Sequence, residues 1–426
     1  MLNLHKNPLS SIKIAKNGVK TALLKSVEGI SAIGAYFSIG AEDSPNSGQT
    51  FLTFHAKLLD SIGSPENMFR YGITPYLNVH RENANLLLTF LPESTKYANM
   101  VLDQMFSRQT PSKQSIATTY KILSEQEKAG TITFEEIFEE VAHAASYNDP
   151  KHRIGVYNNN PYTLTANEDI LTKLKSSAVL FGTADEENNL LSLAASLSSP
   201  KLKEFNESQF ISGICSKKAS TEAFRGSILQ KNQEMRYGVL SFPASSYLSD
   251  DYFVYKVIQK IFGGGSEFSS EGLGVGINSL IYKNALSFGT EFLRCFYFPS
   301  QKNGLISFGF KAEQDSMELI TKKLARCVKK ALKLDDYLFT LGKEEAVDEL
   351  LKSTDNAHFR LLNFGKQAMI WGEPKDTSDI INSIRAVTKD QIIKCLEKTF
   401  SITPSVGIIG EKDPQILQQK WKANIE

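Results

Sequence analysis

Six glycines fall within the fourteen residues from Gly263 to Gly276, and such a stretch suits two chemistries, a phosphate cradle or a pliable peptide contact. The phosphate reading fits poorly. Gly272, Gly274 and Gly276 begin a G-x-G spacing, but the third glycine of a dinucleotide fingerprint would fall at Ser279, and the stretch follows a helical pattern rather than a strand. No Lys-Ser or Lys-Thr closes a P-loop, and the two charged residues inside the stretch, Glu267 and Glu271, would repel phosphate. Phe268 and Leu273 are apolar residues that a solvated spacer does not need. Two carboxylates and two apolar side chains suit a basic, amphipathic peptide, the acids meeting its cations and the apolar pair its other face.

Something must hold such a segment at both ends. Upstream, Phe253, Val254, Val257, Ile258 and Ile261 recur at helical spacing behind a candidate N-cap at Ser249-Asp250. Downstream, Ile277, Leu280 and Ile281 resume that period. The pattern predicts a long, exposed, flexible loop strung between two anchored helices, and loops of that length inside a compact domain are usually functional or disordered.

Other chemistries find little support. The histidines His5, His80, His143, His152 and His358 are scattered without a spacing partner. No G-x-S-x-G elbow or cysteine–histidine signature stands out. The four cysteines, Cys215, Cys295, Cys327 and Cys395, form no C-x-x-C pair and read as reduced or buried thiols. A net charge of +1 over 426 residues, without a basic stripe, argues against nucleic acid as the main partner. No apolar run approaches ~18 residues, so no transmembrane segment is expected.

Along the chain, Ser11 to Lys20 alternates like a hairpin around Asn17-Gly18, which places any targeting signal, despite an early lysine bias, in the first few residues. Strand 30–39 with helix 49–62 parallels strand 236–242 with the helix that leads into the glycine stretch. Strand 85–91 with helix 94–106 parallels strand 305–311 with helix 315–332. Strand 178–182 and its helix parallel strand 406–410. Three matched pairs about 200 positions apart imply a duplication, with domains at 1–203 and 204–426 and a boundary in the polar stretch Ser198 to Ser208. Long helices are expected at 134–147, 343–370 and 388–400, and a hairpin at 288–311 turning through Asn303-Gly304. The fold class is α+β: two duplicated domains, each a mixed, largely antiparallel sheet with helices packed on one face.

Gly263 to Ile277 resembles the glycine-rich loop of the alpha subunits of mitochondrial processing peptidase, whose pattern runs close to GGGGSFSAGGPGKGM. Most of the rest of the chain fits those subunits and the related core protein 2 of ubiquinol–cytochrome c reductase (the cytochrome bc1 complex), within the inverzincin, or pitrilysin-like, peptidases. Glu267 and Glu271 stand where that family usually has small residues and Val275 where it often has Lys, so this loop is more acidic. Catalytic relatives carry H-x-x-E-H on the first long helix, two histidines gripping zinc and a glutamate activating its water. By position this chain has Phe51, Phe54 and His55 instead, and phenyl rings neither ligate a metal nor accept a proton.

The resemblance therefore implies a noncatalytic alpha-type subunit with no cofactor of its own, paired with a homologous zinc-bearing beta-type (core protein 1-like) subunit. Its presequence contacts would be Gly263, Gly264, Gly265, Glu267, Phe268, Glu271, Gly272, Leu273, Gly274 and Gly276, acting as a mobile gate. It also implies a place on the matrix side of the inner membrane among the subunits of respiratory complex III. The alternative it leaves open is a purely structural core protein 2 with no peptidase role.

Overall fold

The computed structural model describes residues 11–25, 30–44, 47–128, 133–147, 166–200, 209–217, 235–264, 279–285, 290–410 and 412–425. The chain forms two compact units. One comprises Met1–Glu125, Lys151–Glu204 and Ser353–Asp376; the other comprises Gln126–Pro150, Phe205–Lys352 and Thr377–Glu426.

The first unit is built on six strands: β1 (Ser11–Ile14), β2 (Lys20–Leu24), β3 (Ser31–Phe37), β4 (Thr74–Val79), β5 (Ala84–Phe90) and β6 (Ala178–Thr183). They lie in the order β1-β2-β6-β3-β5-β4. Only β2 and β6 run parallel; the other neighbours are antiparallel. In the second unit β7 (Ile214–Lys217), β8 (Met235–Ala244), β9 (Thr290–Pro299), β10 (Gly304–Glu313) and β11 (Ser405–Ile409) lie in the order β7-β11-β8-β10-β9. Here β7 and β11 are the parallel pair, and the rest are antiparallel. With β1 set aside, the two sheets share one order and one set of strand senses.

The helices repeat as well. Ser47–Ile62 follows β3 as Tyr252–Phe262 follows β8; Thr95–Met105 follows β5 as Met317–Ala331 follows β10; Glu187–Ser196 follows β6 as Pro414–Ile425 follows β11. All three strand–helix pairs expected from the sequence are present, so the fold is an α+β duplication with two mixed sheets and helices packed around them.

One helix of each half is exchanged. Phe134–Tyr147 packs on β11, β8 and β7, whereas Ala357–Ile370 packs on β6, β2 and β3. Each half of the chain thus lends a helix to the sheet that the other half builds. In the first unit this covers both faces of the sheet, and the strands alternate between two cores with a period of two. Leu23, Ile33, Ala35, Phe37, Leu86, Leu88 and Leu180 face Leu52, Phe54, Val101, Leu102 and Leu190. Their neighbours Ala22, Leu24, Ala32, Tyr36, Leu87 and Phe181 face Leu361, Leu362, Phe364 and Ala368 of the exchanged helix. Coverage on both sides explains why β3 and β5 read as nearly continuous apolar runs rather than as alternating ones. In the second unit Ile137, Phe138, Val141 and Ala142 of the exchanged helix meet Tyr237, Val239, Phe296, Phe298 and Ile409. The aromatic rings of Phe242, Phe308, Phe400 and Trp421 interlock in that unit as well, the closest pair with centroids 4.7 Å apart.

The single long helix expected over 343–370 is in fact two, Asp336–Asp355 and Ala357–Ile370. Asn356 separates them: its side-chain oxygen accepts from the His358 and Phe359 N–H groups at 2.9 and 3.4 Å, starting a new helix where apolar spacing alone would continue the old one. The first hairpin forms as expected, with Gly18 N–H donating to Ala15 C=O at 2.8 Å. In the second, Ser300 to Asn303 make the loop and Gly304 already opens β10, paired with Pro299.

Candidate functional site

The segment singled out by its glycines is entered from helix Tyr252–Phe262 and left through helix Leu280–Asn284. The entry helix buries Val254, Val257, Ile258, Ile261 and Phe262 and ends at Gly263, whose φ of 120° lies where side chains other than glycine are strained. The N–H groups of Gly263 and Gly264 both donate to the Gln259 carbonyl, at 3.0 and 2.8 Å. The Gly263 carbonyl accepts from Cys295 N–H of β9 at 3.3 Å, and Gln259 Nε2 donates to the Cys295 carbonyl at 3.3 Å. A Cβ added to Gly264 would lie 2.2 Å from Gln259 Cγ. These two glycines are held, and at Gly264 what is needed is lack of bulk. On the far side Ser279 caps the exit helix, its hydroxyl accepting from Tyr282 N–H at 3.3 Å; the N-cap of the entry helix is Asp251 rather than Ser249 or Asp250. Gly265, Glu267, Phe268, Glu271, Gly272, Leu273, Gly274 and Gly276 lie outside the described residues.

At the position of the zinc motif, Ser47–Ile62 presents a packing face. Phe54 is buried, its ring edge-on to Phe37 with centroids 5.2 Å apart. Phe51 stacks on His55 at 4.1 Å, and His55 Nδ1 donates to the Phe51 carbonyl at 3.0 Å. Burial among carbon pulls the His55 pKa down to about 4, so near neutrality the imidazole is uncharged. A zinc ion does not fit this arrangement: one neutral imidazole stands where three protein ligands are needed, and the neighbouring positions are phenyl rings. Two residues along, Lys57 buries its ammonium against Ser107 Oγ and the Gln109 carbonyl, both at 3.1 Å, and burial lowers its pKa to about 8 despite nearby Asp60.

His143 and His358 take structural parts. His143 Nδ1 donates to the Glu139 carbonyl at 2.8 Å, and His358 meets the edge of Tyr76 at 4.5 Å. His5 and His152 lie outside the described residues. Among the described residues, no three His, Cys, Asp or Glu side chains gather where a metal could be held, and no helix is long and apolar enough to cross a membrane. All four cysteines are free; Cys295, Cys327 and Cys395 are buried. Missed at the sequence level was the polar cluster at the entry to the glycine segment. Its one signal is Lys260, which interrupts the apolar run Val257, Ile258, Ile261, Phe262.

No family model matches the chain. Among curated proteins it is similar to mitochondrial-processing peptidase alpha subunits. It is 22% identical to that of Solanum tuberosum over 43% of this chain and 38% of the relative. It is 24% identical to an alpha-1 subunit of Dictyostelium discoideum over 44% and 30%, and 20% identical to the alpha subunit of Homo sapiens over 42% and 34%. The matched segments thus span about a third of the length of these relatives.

Proposed function

We propose that this chain is a noncatalytic, alpha-type subunit of a mitochondrial processing peptidase, which binds presequences and presents them to a zinc-bearing beta-type subunit. The observation that carries the reading is the packing of Phe51, Phe54 and His55: the helix that bears the metal in catalytic relatives here belongs to the core. The similarity to alpha subunits supports the same reading. In this proposal the residues from Gly263 to Gly276 form the contact with the presequence. Glu267 and Glu271 attract its arginines, and Phe268 and Leu273 meet its apolar face. The chain works in the mitochondrial matrix, as two repeats with a boundary near 203, and in its fullest form the proposal makes it a core subunit of respiratory complex III at the inner membrane.

Reconstitution tests it. The chain and a zinc-bearing beta-type subunit, each inert alone, should together cleave a fluorogenic presequence peptide. Deleting Glu267 to Leu273 should reduce turnover at least tenfold, because both the charged and the apolar contacts are lost. Unchanged turnover after the deletion removes the segment from the mechanism. Purification of the native assembly addresses the complex III placement: cytochromes co-purifying with the chain support it, and their absence refutes it.

A further inference from the structure

The entry to the glycine segment contains a buried cation. Lys260, on the last turn of Tyr252–Phe262, is 3% exposed. Its ammonium donates to the Gly264 carbonyl at 2.8 Å and pairs with Glu349 of Asp336–Asp355 at 2.9 Å. Burying an ammonium is costly before any partner is counted, and a methionine of similar length would fill the space without that cost. Closing off the helix does not explain it. Gly264 lies two residues past the last helical position, and its carbonyl is not one of the four that a helix end leaves open. Burial works to lower the Lys260 pKa, while Glu349 opposes it. Burial works to raise the Glu349 carboxyl, but Lys256, Lys260 and Arg294 together hold it below its ordinary value. The surplus of positive charge thus holds Glu349 ionised, whereas for Lys260 the neighbouring Lys256 and Arg294 add to the downward pull of burial and only Glu349 opposes it.

Three anchors converge on two successive glycines. Gln259 C=O holds both N–H groups, Cys295 N–H holds the Gly263 carbonyl, and Lys260 holds the Gly264 carbonyl. The first two come from the backbone and would persist with any side chains. The third depends on one lysine. We propose that Lys260, held by Glu349, is a positioning residue: by tying down the Gly264 carbonyl it sets the direction in which the chain leaves the helix, and so where the residues beyond can meet a ligand. This deepens, and rests on, the reading of the glycine segment as a presequence contact.

The full chain and its Lys260→Met, Lys260→Arg and Glu349→Gln variants test it with two measurements. The first is amide hydrogen exchange of the segments containing Gly264 and Cys295, compared with the interior of Tyr252–Phe262. The second is anisotropy of a fluorescein-labelled basic amphipathic peptide of about 20 residues. Lys260→Met should speed exchange at Gly264 and Cys295 roughly tenfold and weaken peptide binding roughly fivefold, with the helix interior unchanged. Lys260→Arg should restore most of both, and Glu349→Gln, which leaves the lysine hydrogen bond possible, should shift both in the same direction but less. Equal acceleration along the whole helix would make Lys260 a structural residue only and overturn the proposal, as would unchanged exchange at Gly264. If Lys260→Met does not fold, the Glu349→Gln exchange pattern decides on the same criterion. A wild-type chain that does not bind the peptide removes the presequence reading, and the exchange data still decide whether the clamp exists.

Discussion

Phe54 places a whole ring between the first sheet and its helices, so its truncation has a calculable cost. Phe54→Ala should lower unfolding stability by about 3–5 kcal/mol, read from urea midpoints. Rebuilding the metal motif with Phe51→His and Phe54→Glu should cost at least as much, since it strands a carboxylate in a carbon environment, and should bind no stoichiometric zinc. A variant that stays folded and holds one zinc would show that the site tolerates ligation. Next to it, His55 has its folded pKa pulled down to about 4 against an ordinary value of 6.5. Between those values the unfolded chain binds a proton that the folded chain refuses. The stability associated with neutral His55 is therefore complete above about pH 6.5 and falls as pH drops toward about 4. His55→Gln should reduce the slope of thermal stability across that window relative to wild type, leaving the part that belongs to His80, whose pKa burial also pulls down to about 4; parallel profiles would show that His55 contributes nothing to it.

At the scale of elements, the exchanged helix Ala357–Ile370 sits close to its sheet because Gly365 has no side chain. A Cβ there would lie 2.7 Å from the Phe181 ring and 3.0 Å from Tyr36. Two effects compete in Gly365→Ala. Replacing a mid-helix glycine should stabilise by about 1 kcal/mol, and overpacking a filled core should cost about 1–3 kcal/mol. Phe181 is fully buried in β6 and has nowhere to yield, so the second effect should win and the urea midpoint should fall. A rise would mean that the helix can retreat from the sheet. Helix existence and type were legible here from apolar spacing: Phe134–Tyr147 forms over the expected span, and Thr388 caps Lys389–Phe400 through a box with Gln391. The break at Asn356 was not legible, because apolar residues recur at helical spacing on both sides of it. A single side chain that satisfies two N–H groups changed the outcome.

For the whole molecule, the exchange of helices links the halves. Residues 1–203 alone lack Ala357–Ile370, which would leave Ala22, Leu24, Tyr36, Leu87 and Phe181 on an open apolar face. Residues 204–426 alone lack Phe134–Tyr147 and would expose Tyr237, Val239, Phe296 and Ile409. Each half expressed separately should associate or precipitate through that face, and co-expression of the two should restore soluble material. Light scattering during purification is the measurement, and a monomeric, cooperatively melting half would contradict the exchange.

Read alone, the sequence determined the repeated order of strands and helices, the absence of a complete zinc motif and the position of the glycine segment. These follow from spacing and residue type, which act over a turn of helix or a few strand positions. Only the tertiary structure decided which sheet each exchanged helix covers, that Gly263 and Gly264 are pinned, and that Lys260 and Glu349 meet across 89 positions of chain. An apolar helix face carries no address for its partner, and a buried ion pair leaves no period in the sequence. Both exist only once distant segments exclude water from between them.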